Sequence, residues 1–292
     1  MTAADVTRTK SPLGEFVRRF CRQTVAPAAG LSIVLLVGVA VLAPVVAPFD
    51  PTAANYDEIL LTSSWTHLAG TDAYGRDIFS RIVFGARISL AVGFVSVSLG
   101  ALAGILLGLV SGFYGHWLDG LVMRACDVLL AFPGILLAIA VIAVLGPGID
   151  NVIYAVAVFS VPVFARIVRG STLVLKQSVY VDAARAIGVS NRLLMLRHIL
   201  PGTLPSVIVY LSMRVGTSIL TAASLSFIGL GAQPPSPEWG AMLADGRSYL
   251  GVASHVTLFP GIAIFVTVLA FNLLGDGLRD ALDPKLRPGR GL

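Results

Sequence analysis

The chain has 292 residues, of which 56% are hydrophobic and 13% charged, with a formal net charge of +5 and a mean hydropathy of +0.85. An average soluble domain carries roughly 25% charged residues, so a water-soluble globule is excluded. The basic residues are dispersed between apolar runs and form no continuous face, which argues against nucleic acid as a partner and fits membrane lipid headgroups.

A basic tail, residues 1–27, holds Arg8, Lys10, Arg18, Arg19 and Arg22 and leads into the first uncharged run, Ala28 to Ala47. That run exceeds the roughly 7–15 apolar residues of a secretory signal, so a retained helix is predicted. Next comes the long segment Phe49 to Arg87. Within it Gly70, Asp72, Gly75, Arg76 and Asp77 combine tight-turn glycines with alternating charge, which fits either a self-paired turn or a docking surface for another protein. The second and third runs, Ile88 to Gly115 and Val128 to Ile149, are long enough to cross a hydrocarbon layer of about 30 Å at 1.5 Å per residue. The fourth, Asn151 to Ala165, is short, and the stems of Arg166 and Arg169 are expected to extend it by snorkelling.

The segment 170–205 alternates apolar and basic residues at helical spacing. Tyr180 to Ile187 reads as a short helix, Gly188 as its left-handed terminator, and Ser190 as the N-cap of a second helix. Leu193, Leu194, Leu196 and Ile199 are predicted to share that second helix's apolar face, and Pro201 to end it. Ala183 and Ala184 make the first helix small on one side, which fits either close packing by another protein or an amphipathic connector on lipid.

The fifth run lies within Thr203 to Leu230 and contains Arg214. An arginine at mid-membrane costs roughly 2.5–3.5 kcal/mol on insertion scales, so it either lines a permeation route or lies near the headgroups because the helix begins late. In Gly231 to His255 the prolines Pro234, Pro235 and Pro237 stiffen a stretch ending at Trp239, either an outer gating element or an interfacial anchor. The sixth run, within Val256 to Gly275, closes a transmembrane domain over 28–276 and leaves a tail, 277–292. Pro162 and Pro260 lie inside apolar runs and are read as kinks or packing features.

Six crossings place both termini on one side. With that side cytoplasmic, 16 of the 21 basic residues lie inside and 4 outside, with Arg214 within the fifth run, which is the asymmetry a bacterial inner-membrane protein shows. The fold class is therefore all-α and polytopic. Cys21 and Cys126 stand on opposite sides of two long runs and are read as small apolar fillers, with no metal site. His67, His116, His198 and His255 are scattered, and no HExxH or GxSxG pattern assembles a nucleophile with a base. Of the three lysines only Lys10 precedes Ser or Thr, and Thr9 stands where a phosphate loop needs Gly, so the chain is not an ATPase. A secondary transporter or channel is an alternative from another class, but it would need intramembrane carboxylates, and every Asp and Glu lies at or beyond a run's end.

The string DAARAIGVSNRLLMLRHILP, Asp182 to Pro201, resembles the signature loop of permease subunits of bacterial ATP-binding-cassette importers, with Ala183, Ala184, Gly188, Leu200 and Pro201 in place and Asp182 where that loop has Glu. GTDAYGRDIFSRIVFGARISLAVG (Gly70 to Gly93), LSFIGLGAQPPSPEWGAML (Leu225 to Leu243) and NLLGDGLRDALDPKLR (Asn272 to Arg287) narrow the likeness to the C-type permease of the dipeptide, oligopeptide and nickel branch. The resemblance implies a type I permease fold, and a loop, with Tyr180 beside the signature, that docks into a cleft on an ATPase. It implies as partners a second homologous permease, two ATPases carrying the ATP and Mg, and an extracytoplasmic substrate-binding protein that would meet the outer segments. This chain binds no cofactor in that scheme. Short peptides are the substrate expected, with nickel chelates, glutathione-like peptides and haem also within the family's range.

Overall fold

A computed structural model describes residues 12–282, which are helical throughout apart from their connections. Residues 1–11 and 283–292, with Arg8, Lys10, Lys285, Arg287 and the end of the last motif, lie outside the described residues. A short amphipathic α1 (Pro12–Arg22) precedes α2 (Val25–Val41), and one further turn, α3 (Ala43–Val46), extends α2. The long α4 (Ile78–Tyr114) is followed by α5 (His116–Ala131), α6 (Gly134–Leu145) and α7 (Ile149–Leu175). The short α8 (Val179–Ala186) and α9 (Asn191–Leu193) lead into α10 (Leu200–Phe227), and α11 (Trp239–Gly246) precedes α12 (His255–Leu282).

Among the described residues α4, α7, the continuous helix Asn191–Phe227 and α12 are each long and apolar enough to span, α5 and α6 form one bent pair, and α2 is a 17-residue apolar helix. With the bent pair counted as one span and α2 extended by α3 as another, they are compatible with the six crossings expected. The boundaries differ: the fourth span has 27 residues, not 15, because α7 continues past Arg166 and Arg169 to Leu175. Those arginines do not snorkel alone. Arg166 pairs with Asp127, and Arg169 grips Asp119 through two bonds of 2.5 and 2.6 Å, fastening α7 to α5.

Prolines kink a helix only where the freed carbonyl and the ring find no accommodation. Pro162 and Pro260 sit buried within unbroken helices, whereas Phe132 and Pro133 separate α5 from α6, which meet at 95°. The third predicted run is thus a broken helix.

The tightest packing is between α4 and α7. Gly100, Gly104, Gly108 and Gly112 recur every fourth residue, and a Cβ at any of them would come within 3.0 Å of α7 atoms. Lipid is as apolar as leucine, so helices there associate through close contact of small residues. This stripe carries that contact, with Phe164 fully buried against it.

Of three buried clusters among the described residues, one joins α6 to α4, α7 and α10 through Ala138, Ile142, Val156 and Leu225, and the other two mark the two ends of the bundle. Of these two, one runs from Val97 and Leu109 on α4 through Phe164 and Val168 on α7 to Val181, Ala184, Leu194 and Ile199 in the α8–α10 corner. The other gathers Ile78, Ala86, Trp239, Met242 and Val256 at the opposite end, where the segments 47–77 and 228–254 lie. These are called below the elbow end and the loop end.

Candidate functional site: the elbow and the face beneath it

The elbow begins where α7 ends. Lys176 Nζ donates to the carbonyls of Gly112 and Phe113 at 3.0 and 3.4 Å, satisfying acceptors that the C-terminus of α4 leaves open. After a turn at Ser178, α8 stops in a Schellman arrangement: Gly188 N–H donates to Arg185 O at 3.0 Å and Val189 N–H to Ala184 O at 3.2 Å. Gly188 has φ +84°, in the left-handed region, although a Cβ there would meet open space. Its constraint is therefore conformational, not steric contact with a neighbour.

Ser190 occupies the N-cap position with extended backbone but makes no side-chain cap bond. The next limb departs from the predicted register. Residues Leu194–Ile199 follow π spacing, so Leu194, Met195 and Ile199 turn inward while Leu193 and Leu196 stay exposed. Pro201 does not end a helix; it lies within the continuous helix Asn191–Phe227, just after the π segment. Tyr180 Oη donates to His198 O at 3.1 Å and ties the limbs together. Asp182 pairs with Arg185 at 3.2 Å on the exposed side, beside exposed Ala183, whereas Ala184 is buried. Leu200 is half-buried and Pro201 exposed.

The elbow's inward face therefore merges with the membrane core, while its outward face leaves Val179 85%, Ile187 82% and Leu196 58% exposed. A cluster of exposed large apolar side chains on a polar-rimmed corner marks a contact surface.

At the loop end the candidate residues are spent on one another. Gly70 and Gly75 have positive φ and lie against backbone atoms of Leu61 and Asn55. Asp72 accepts from the amides of Tyr74 and Arg76 and lies 3.5 Å from Arg81, while Asp77 caps α4 through Ser80 and lies 2.9 Å from His67. Asp72 and Asp77 are thus paired within the turn itself. Arg76 is the exception: it is buried over the Tyr74 ring, and its Nε and Nη1 have no hydrogen-bond partner among the described residues. Trp239 is no interfacial anchor: it is 1% exposed, and its Nε1 donates to Ile82 O at 3.0 Å. Of the outer candidates only Pro234 and Pro235 remain exposed.

Two residues that organise this end lie within the quoted strings but are not among the candidate residues read from them. Arg81, buried, donates to Pro51 O at 3.0 Å and Pro235 O at 3.4 Å and so joins both long segments. Glu238, buried at the N-cap of α11, accepts from Ala241 N–H at 2.9 Å and from Ser89 Oγ at 3.3 Å. Burial pushes its carboxyl above the ordinary range against the pull of those donors, and burial likewise raises Asp245, opposed by the Arg81 charge.

Arg214 lies near the middle of α10, fourteen residues from Leu200 and thirteen from Phe227. The helix itself does not begin late, since the helical path starts before Thr203. Its guanidinium stacks 4.6 Å over Phe159 of α7.

An all-helical bundle of six apolar crossings, with an exposed elbow continuous with its core, defines a membrane permease of the type I importer fold. The model of the binding-protein-dependent transport system inner membrane component family matches residues 104–288, and that of the N-terminal TM domain of oligopeptide transport permease C matches 11–62. The glutathione transport system permease protein GsiD of Pectobacterium atrosepticum is 58% identical over 279 residues, 95% of this chain and 93% of that protein. Its namesake in Escherichia coli O6:K15:H31 is 59% identical over 281 residues, 96% of this chain and 93% of that one. A chain of the inward-facing MetNI methionine ABC transporter superposes with a TM-score of 0.56 at 20% identity, covering 70% of this chain and 98% of its own.

The chain belongs to the family of binding-protein-dependent transport system inner membrane components, in its dipeptide and oligopeptide C-type branch. It is a non-catalytic inner-membrane subunit of an ABC importer, and the secondary-transporter alternative is set aside.

Proposed function

We propose that this chain forms half of the translocation pathway of an ATP-driven importer of short peptides, with glutathione or a close analogue as the cargo. The relatives' names support glutathione, itself a three-residue peptide, more than nickel or haem. Its partners are a second homologous permease, two ATPases that bind ATP and Mg, and an extracytoplasmic binding protein. Both termini and the elbow lie on the cytoplasmic side, in keeping with the distribution of basic residues.

One observation carries the reading: the elbow's buried residues belong to the same apolar cluster as α4, α7 and α10, while its opposite face is exposed and apolar. A push received on Ile187 or Val179 is passed to the spanning helices without a flexible joint, because close-packed interiors transmit displacement. The ATPase cleft receives α8, and Gly188 sets the angle between the limbs.

Gly188→Val tests this in the reconstituted complex. A β-branched residue at φ +84° costs roughly 1–2 kcal/mol locally and re-aims the corner. Membrane insertion should persist while ATP-driven uptake falls at least about tenfold and ATP hydrolysis continues uncoupled. Uptake at the unmodified rate would refute the docking role.

A further inference from the structure

Among the described residues Arg214 is the one basic residue near the middle of a spanning helix, and its side chain forms no hydrogen bond and no ion pair. Its Nε is buried without a partner. An arginine held in an apolar layer without a partner carboxylate is costly, so its retention calls for a counter-charge supplied from elsewhere. The surroundings say from where.

Phe159, under the guanidinium, packs so closely on Gly134 that a Cβ there would overlap the ring. Gly134 is the first residue of α6, at the break with α5. Arginine, ring and helix break therefore form one stack. Beyond it, Thr217, Thr221 and Ser224 follow Arg214 at helical spacing along one face of α10, with Thr217 exposed. Their hydroxyls donate to Arg214 O, Thr217 O and Leu220 O of their own helix at 2.9, 2.8 and 2.8 Å, so their oxygens remain available as acceptors. The face leads into a cavity of about 300 Å³ lined by Ile135, Leu220, Ser224 and Phe227, with Ile135 coming from the same helix break.

We propose that Arg214 is a carboxylate-binding station on the translocation route, at which a peptide-like anion exchanges its bonds to water for bonds to the guanidinium while the hydroxyl track accepts its N–H groups. The proposal rests on the permease reading above. It assigns the missing counter-charge to the cargo, not to lipid or to the partner permease. Guanidinium is suited to this because its planar fork matches a carboxylate, and a charged hydrogen bond is worth about 1.5–3 kcal/mol, or roughly ten- to a hundredfold.

The test uses the full complex in proteoliposomes, with labelled glutathione as probe. Arg214→Gln is expected to lower uptake per ATP hydrolysed at least tenfold with complex assembly unchanged, and Arg214→Lys, which keeps the charge but not the fork, by a clearly smaller factor. A cysteine introduced as Thr217→Cys should react more slowly with a neutral maleimide when cargo is present, and that protection should vanish with Arg214→Gln. Unchanged uptake in Arg214→Gln would overturn the station, as would equal losses in Arg214→Gln and Arg214→Lys, since a packing role would not depend on charge. Should Arg214→Gln fail to assemble, the Arg214→Lys result and its cargo protection decide by themselves. No ATP-driven uptake by the unmodified complex would overturn the importer reading instead.

Discussion

The loop end and the elbow end are both built from short helices and turns, yet they treat their polar and apolar groups in opposite ways. At the loop end, charged Asp72, Arg76, Asp77, Arg81 and Glu238 are all buried, and Trp239 is sealed beneath them. At the elbow, large apolar Val179, Ile187 and Leu196 are left in the open, and the charged pair Asp182–Arg185 sits on the surface. A buried charge must find its partners within the fold, whereas an exposed apolar corner is completed by something outside it. Apart from the Arg76 nitrogens Nε and Nη1, the buried charges of the first end are finished structure, although Trp65 and Val252 stand exposed there, and the apolar corner of the second is half of an interface.

Trp239→Ala should break this contrast most forcefully at the loop end. Removing a fully buried indole costs about 3–5 kcal/mol and also takes away the second donor to Ile82 O, which keeps its bond within α4. Thermal unfolding of the purified subunit should shift down markedly, while affinity for the ATPase in the surviving folded fraction stays the same. Ile187→Asp is its mirror image. With 82% of the side chain exposed, folding stability should change by less than about 0.5 kcal/mol, yet ATPase affinity measured by pull-down titration should fall about tenfold. If Ile187→Asp destabilised the subunit as Trp239→Ala does, the elbow would be finished structure too.

These two ends were unequally legible in the sequence. Apolar run length follows directly from membrane thickness, so six crossings could be counted, and Gly188 could be placed because few residues other than glycine end a helix at positive φ. The glycine stripe on α4 was also written in the chain, at a fixed spacing of four, but its partner face on α7 is only known once the helices are packed. Helix breaks were harder: Pro133, Pro162 and Pro260 look alike in sequence, and only the packing around each decides which one separates α5 from α6. The pairing of Arg81 with the carbonyls of Pro51 and Pro235 joins positions 30 and 154 residues away, beyond any local pattern. The π register of Leu194–Ile199 misdirected the apolar face for the same reason, since a period of 3.6 was assumed where the backbone runs wider.

Glu238 sharpens the loop-end half through pH. Its folded-state carboxyl is raised by burial, so the folded chain binds that proton more tightly than the unfolded one. The stability this contributes is complete below the unfolded value of 4.5 and is lost as pH rises through the folded one, and Asp245 acts in the same direction. Glu238 and Asp245 should accordingly favour the fold more near pH 4.5 than at neutral pH, against the opposite contribution of Asp119, whose carboxyl is lowered by its bond to Arg169. Glu238→Gln, neutral at every pH and still able to accept from Ala241 N–H, should remove Glu238's share from the slope of melting temperature against pH. A slope unaltered by Glu238→Gln would assign it to other carboxylates.

The smallest effect is expected from Asp182, the acidic residue of the signature loop. Its ion pair with Arg185 joins side chains 60% and 52% exposed three residues apart on one helix, where such pairs are worth about 0.3–0.5 kcal/mol. Any ATPase group that approached Asp182 would compete with Arg185 and gain only the difference. Asp182→Ala should therefore leave the melting temperature nearly unchanged and lower ATP-driven uptake less than about threefold, far short of Ile187→Asp. A loss as large as that of Ile187→Asp, with Asp182→Glu restoring it, would move the elbow's binding energy from its apolar face to its charge, and Arg185 would then be the residue that holds the carboxylate in wait for its partner.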